Sequence, residues 1–214
     1  METVVERKKR ASQIVRVLRK TYPDARLALD FETALDLLIS LILAAQCTDE
    51  RVNRVTADLF RKYRQAKDWA GLDRTLLEEE IRSTGFYRNK AKSIQGCTQA
   101  LVERFNGEVP GELDDLLSLP GVGRKTANIV IGNAFGRPAI GVDTHVGRLA
   151  RRLGLSREKD PDKVEASLVA VVSRQSQVAF CHLIQLHGRA ICVSRKPKCD
   201  DCVIEKDCPR VGVD

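Results

Sequence analysis

The chain has 214 residues, 43% of them hydrophobic and 30% charged, which excludes a disordered or fibrous protein and leaves one large domain or two small ones. A formal net charge of +7 favours polyanionic partners, with nucleic acid the leading class. The longest apolar run, residues 37–45, is too short to span a bilayer, and residues 1–10 are polar and charged, so we expect a cytoplasmic protein with no membrane partner.

Periodicity is helical along the whole chain, which predicts an all-α fold of about ten helices joined by short connections. The first is expected over residues 11–21, with Ile14, Val15 and Leu18 on one face. Asp30 or Thr33 caps a second, residues 34–46, whose apolar residues cover nearly every face and place it at the centre of a fold. Thr48 or Asp49 caps a third, in which Val52, Val55, Leu59, Phe60 and Tyr63 recur at helical spacing. A weaker helix covers 74–82. Gly85 then breaks the chain, and the basic, aromatic stretch Phe86-Tyr87-Arg88-Asn89-Lys90 leads into a helix at 91–105.

Two further helices, 112–119 and 124–135, meet across a tight turn, Leu119-Pro120-Gly121-Val122-Gly123-Arg124-Lys125-Thr126-Ala127. Glycines let another backbone come close, and the following helix points its first amides outward at a positive dipole end, which makes a phosphate cradle. Lys125 lies in the first turn of that helix beside Arg124, where its charged form is disfavoured, and is a candidate nucleophile. Asp143 caps a helix at 144–153, and Asp160 with Pro161 opens another that runs to about residue 173. The last helix, 177–191, leads into a cysteine tail.

Seven cysteines in a cytoplasmic protein are not a disulfide framework. Cys47, Cys97 and Cys181 fall on helical patterns and read as small core residues. Cys192, Cys199, Cys202 and Cys208 have the spacing C-x6-C-x2-C-x5-C, which points to a metal site. A zinc ribbon generally has two C-x2-C knuckles, and only one is present. Short, uneven cysteine loops suit a larger [4Fe-4S] cluster, which is favoured over zinc. Ligation would pin the loop Arg195-Lys196-Pro197-Lys198 at both ends and present its charges to phosphates at a low entropy cost.

The hairpin 119–127, the segment Val142-Asp143-Thr144-His145 and the cysteine spacing occur together in this order, and the chain resembles the endonuclease III family of helix-hairpin-helix DNA glycosylases. The resemblance implies a two-lobed all-α fold with DNA bound in a cleft between the lobes. A six-helix barrel lobe would span about 27–137, and residues 1–26 and 138–214 would form the lobe that carries the [4Fe-4S] loop at 192–208. It implies a monomer acting on damaged double-stranded DNA and removing oxidised pyrimidines. Lys125 matches the family's Schiff-base lysine and Asp143 its essential carboxylate, placed to position and deprotonate the lysine and to stabilise charge on the sugar. Attack requires a neutral amine, so burial and the helix end are expected to lower the pKa of Lys125.

By the same resemblance Gln46 fills the hole left by an extruded nucleotide, and Phe86 stands where the family places an apolar wedge, often leucine. Gly121, Val122, Gly123 and Arg124 would hold backbone phosphates, as would Arg195, Lys196 and Lys198. His145 matches the motif but reads as structural. A mismatch adenine glycosylase would need an acid between 37 and 45 and would lack the hairpin lysine. A monofunctional thymine or uracil mismatch glycosylase shares the cluster, and Lys125 argues against it. A non-catalytic DNA-binding or redox-sensing module is the alternative from another class, and it would never form an imine with DNA.

Overall fold

The structure, a computed structural model, describes residues 2–213, and every regular element among them is a helix. In chain order the α-helices are α1 (Val4–Thr21), α2 (Ala34–Leu43), α3 (Asp49–Lys62), α4 (Ala66–Ala70), α5 (Arg74–Glu80) and α6 (Tyr87–Phe105). They continue with α7 (Leu113–Leu117), α8 (Arg124–Asn133), α9 (Thr144–Arg152), α10 (Pro161–Val171) and α11 (Gln177–Ala190). No helix among the described residues is long and apolar enough to cross a membrane. The chain divides into two compact units, one of Met1–Arg26 with Arg137–Asp214 and one of Leu27–Gly136.

The continuous unit is built on α2. Its residues Leu37, Leu38, Ile39 and Leu43 are fully buried, and it packs against α3, α6 and α8, as an all-round apolar helix must. Thr33 starts it with a capping box: the Thr33 hydroxyl accepts from Asp36 N at 3.1 Å, and the Asp36 carboxylate accepts from Thr33 N at 2.9 Å. The helix stops at Leu43, short of the expected residue 46, because Gln46 takes a left-handed backbone with φ 53°. Helix α4 does not follow from the hydrophobic periodicity, since five residues carry too little of it. It exists to bury Trp69, whose indole N–H donates to Tyr63 O at 3.1 Å and whose ring meets Tyr63 and Phe60 edge-on.

Helix α6 begins at Tyr87, earlier than the expected residue 91. Gly85 and Phe86 both have positive φ (71° and 48°), so the chain reverses in two residues and the basic aromatic stretch becomes the helix's first turn.

The other unit packs α1, α9, α10 and α11 around Ile14, Leu18, Val146, Leu149, Leu168, Phe180 and Ile184. Helix α1 starts at Val4, well before the expected residue 11, because Thr3 and Glu6 form a capping box ahead of the apolar face. Cys192, Cys202 and Cys208 pack against this core, so the cysteine tail is an extension of it. Cys97 and Cys181 are buried as expected, and burial pushes both thiols up to about 12. Cys47 departs from the expectation: it is half-buried in the turn after α2, since the helix that would have carried it inward has already ended.

Candidate functional site

The turn between α7 and α8 is held by its own backbone, with Leu119 N donating to Leu116 O at 3.1 Å and Val122 N to Leu119 O at 3.2 Å. Gly123 is the N-cap of α8 and has no side chain to accept from the helix's first turn. Gly121 has φ 78°, and a Cβ there would sit 2.7 Å from Ser93 Cβ on α6. A Cβ on Gly96 would likewise meet the Pro120 ring at 3.3 Å. The hairpin therefore lies directly on one face of α6, and Gly121 is required twice over, for conformation and for space. Gly121→Ala is expected to destabilise the protein by about 1–3 kcal/mol in chemical denaturation. Gly121→Ala combined with Ser93→Gly should recover only the steric part of that loss.

Lys125 is exposed in the first turn of α8, and Arg124 beside it is half-buried. The burial expected of Lys125 is not found: the first turn of a helix that begins on an open glycine hairpin points its side chain outward. Val122 is buried and acts as an apolar pin under the turn, while Gly121 and Gly123 are exposed.

Gln46 and Phe86 are both exposed, Phe86 by 63%, and both have left-handed backbones. Phe86 is therefore not a core side chain. Beneath them lies Lys90, 4% exposed, whose ammonium donates to Leu43 O at 2.7 Å and to Thr84 O at 2.8 Å. Burial pulls its pKa below the usual lysine value.

Asp143 caps α9, accepting from Val146 N at 2.7 Å, and stays half-buried. His145, in the first turn of α9, contacts the Arg148 guanidinium through Nδ1 at 3.2 Å. Burial holds its pKa below the ordinary histidine value, against the pull of Asp143 and with the help of Arg148 and Arg189, so the ring is neutral at physiological pH.

All four tail cysteines carry free thiols and line one pocket, together with Leu149, Leu153, His187 and Ile204. Among the described residues no three His, Cys, Asp or Glu side chains converge closely enough to hold a single metal ion. Four thiols lining a shared void, with Arg152, Lys198 and Arg210 as well as apolar side chains among them, fit a cluster larger than one ion. Arg195, Lys196 and Lys198 lie on the loop between Cys192 and Cys199, outside the buried core.

Several residues that hold this tail carry no functional signal in the sequence. His187 is 1% exposed, and burial drives its pKa down to about 4, so it is neutral. Its Nδ1 lies 3.1 Å from the Tyr22 hydroxyl and its Nε2 3.4 Å from Cys202 Sγ. With Tyr22 as donor, the tautomer that completes both contacts points Nε2–H at the sulfur. Arg148 donates to Gly188 O at 2.9 Å and Cys192 O at 3.1 Å, and Arg152 to Val193 O at 2.7 Å and Ser194 O at 2.8 Å. These arginines, one turn apart on α9, staple the start of the cysteine loop. Arg10 does the same for its far end, through Leu153 O and, at 3.2 Å, Asp207 O. In the sequence only the i,i+4 spacing of Arg148 and Arg152 is visible, and it reads equally as a solvated face.

Residues 39–174 match the model of the HhH-GPD superfamily of base excision DNA repair proteins. The chain is 48% identical to endonuclease III of Synechocystis sp., covering 98% of this chain and 96% of that one. It is 43% identical to endonuclease III of Bacillus subtilis, covering 87% and 86%. Its fold matches a solved structure of a trapped endonuclease III–DNA covalent intermediate with a TM-score of 0.89, at 41% identity over 98% of this chain and 97% of that one. With that match over nearly its whole length, the chain belongs to the endonuclease III family of HhH-GPD base excision DNA repair proteins.

Proposed function

We propose that the chain is a base excision repair DNA glycosylase with abasic-site lyase activity, acting on oxidised pyrimidines in duplex DNA. The observation that carries this reading is the glycine hairpin that opens α8, with Lys125 exposed in its first turn, in a chain similar to the endonuclease III of the covalent DNA intermediate. The target nucleotide must leave the base stack before its C1′ can be reached. Gln46 occupies the space it vacates, and Phe86 parts the neighbouring bases. Gly121, Gly123 and Arg124, set around the buried Val122, together with Arg195, Lys196 and Lys198, bind backbone phosphates.

Lys125 gives up its ammonium proton to water, and the neutral Nζ bonds to C1′ as the glycosidic bond breaks, the base leaving with the electron pair and taking up a proton. The adduct loses a proton from nitrogen and opens the sugar ring, giving an imine. Loss of a C2′ proton then expels the 3′ phosphate by β-elimination, and hydrolysis frees the lysine. Asp143 is the carboxylate that stabilises positive charge developing on the sugar. Cys192, Cys199, Cys202 and Cys208 would hold a [4Fe-4S] cluster, which when bound cross-links the tail into a fixed shape. His187, Arg148 and Arg152 orient that tail. The bacterial relatives support a cytoplasmic, nucleoid-associated enzyme, and one chain carries both candidate catalytic side chains, so we take the monomer as the working unit.

The test is covalent. A duplex with one thymine glycol is incubated with the protein and borohydride, and a trapped complex is expected on a denaturing gel; no adduct on this duplex or on an abasic duplex rejects the reading. Asp143→Asn separates structure from chemistry, because Asn caps a helix as well as Asp does. Its stability is expected to change by less than about 1 kcal/mol, while lesion excision falls by about 100-fold or more. Wild-type excision by that variant would remove Asp143 from the mechanism.

A further inference from the structure

Lys90 has no part in the chemistry above, yet the fold buries it almost completely. Its two side-chain hydrogen bonds both end on backbone carbonyls, Leu43 O at 2.7 Å and Thr84 O at 2.8 Å. Leu43 is the last residue of α2, just before the turn that carries Gln46, and Thr84 closes the 3-10 turn just before Gly85 and Phe86. The backbone of Lys90 also takes part, its N–H donating to Phe86 O at 3.1 Å. One nitrogen thus holds the roots of two separate turns within two hydrogen-bond lengths of each other.

Burying an ammonium is costly, and an apolar side chain of the same volume would fill the space with a smaller desolvation penalty. What the cation adds is geometric: two loops far apart in sequence share one anchor. Both loop tips are non-glycine residues in the left-handed region, Gln46 at φ 53° and Phe86 at φ 48°. Such backbones persist only where their surroundings over-determine them. Both side chains are also exposed, so no core packing holds them.

We propose that Lys90 is a positioning residue that clamps the Gln46 and Phe86 turns into one rigid unit, so that hole filling and base parting occur together. The proposal rests on the assignment of Gln46 and Phe86 as the residues that enter the duplex. A clamped pair must act as a unit, and residues that do so have non-additive effects when removed singly and together.

The experiment measures base opening directly, from the fluorescence of 2-aminopurine beside a thymine glycol, so the coupling is read before any bond breaks. In the otherwise native protein Gln46→Ala and Phe86→Ala should each slow opening, and the double variant should be slower by clearly less than the product of the two effects. Multiplicative effects overturn the clamp. Lys90→Met should itself slow opening by about 10- to 100-fold, and in that background the two effects should become multiplicative. Coupling that survives Lys90→Met also overturns it, because general destabilisation would not abolish coupling selectively. If Lys90→Met fails to fold, Lys90→Leu replaces it in the same cycle, and multiplicative effects in the native background overturn the clamp in either case. Borohydride trapping by the native protein reports separately on the glycosylase reading, so the two ideas fail in different measurements.

Discussion

Lys125→Gln is expected to lower strand cleavage at both thymine glycol and abasic sites by about 10,000-fold or more, and to abolish borohydride trapping. The size follows from the role: glutamine has no basic amine, so the covalent route through this position is closed. Lys125 is exposed in the first turn of α8, so its removal opens no cavity. Glutamine and lysine have similar helix propensities, and a surface change of this kind alters stability by about 0.5 kcal/mol or less. Duplex affinity should fall by less than about tenfold, one phosphate-sized charge among several. Binding by filter or fluorescence anisotropy, run beside the cleavage assay, separates the two effects. Cleavage retained by this variant would show that another amine forms the imine.

The second large effect is expected at the cysteine pocket. The purified protein should contain iron and acid-labile sulfide, and Cys202→Ser should lose most of both. Metal ligation in small protein sites supplies folding free energy on the order of 10 kcal/mol. Cys192, Cys202 and Cys208 pack against the core formed by α1, α9, α10 and α11, so loss of ligation reaches that core. The thermal midpoint of Cys202→Ser should drop by about 10 °C or more, and residues 192–213 should become open to protease. Affinity for undamaged duplex should fall too, since Arg195, Lys196 and Lys198 would lose their fixed loop. Stoichiometric zinc in the purified protein would overturn the cluster assignment.

Much of this architecture is written in local chemistry. Asp143 and Asp160 cap the helices expected of them, and of the pairs the sequence leaves open, Asp30 or Thr33 and Thr48 or Asp49, the threonines are the caps; a cap is an interaction between residues two or three apart and needs no partner from elsewhere. The unbroken apolar surface of α2 demands a central position in any fold that buries it. Pro120, Gly121 and Gly123 mark the hairpin for the same reason: the turn's conformation is a property of the turn. The cysteine spacing belongs in this group as far as the pocket goes: four thiols so close in sequence come to line one void.

Long-range contacts decided the rest. The early end of α2 at Leu43 and the early start of α6 at Tyr87 follow from two left-handed turns, and no propensity favours Gln46 or Phe86 in that region. Those turns stand because Lys90 reaches carbonyls at the root of each, and a buried lysine cannot be told from a surface one by its neighbours in the chain. The same holds for Ser93 beneath Gly121 and for His187 against Cys202: each acquires its role from a residue that only the folded chain brings near. Local patterns specify where helices begin and what a turn offers, because those energies arise within a few residues. Which loops are held together, and at what angle their side chains emerge, depends on hydrogen bonds and packing between distant segments, and these exist only once the chain has folded.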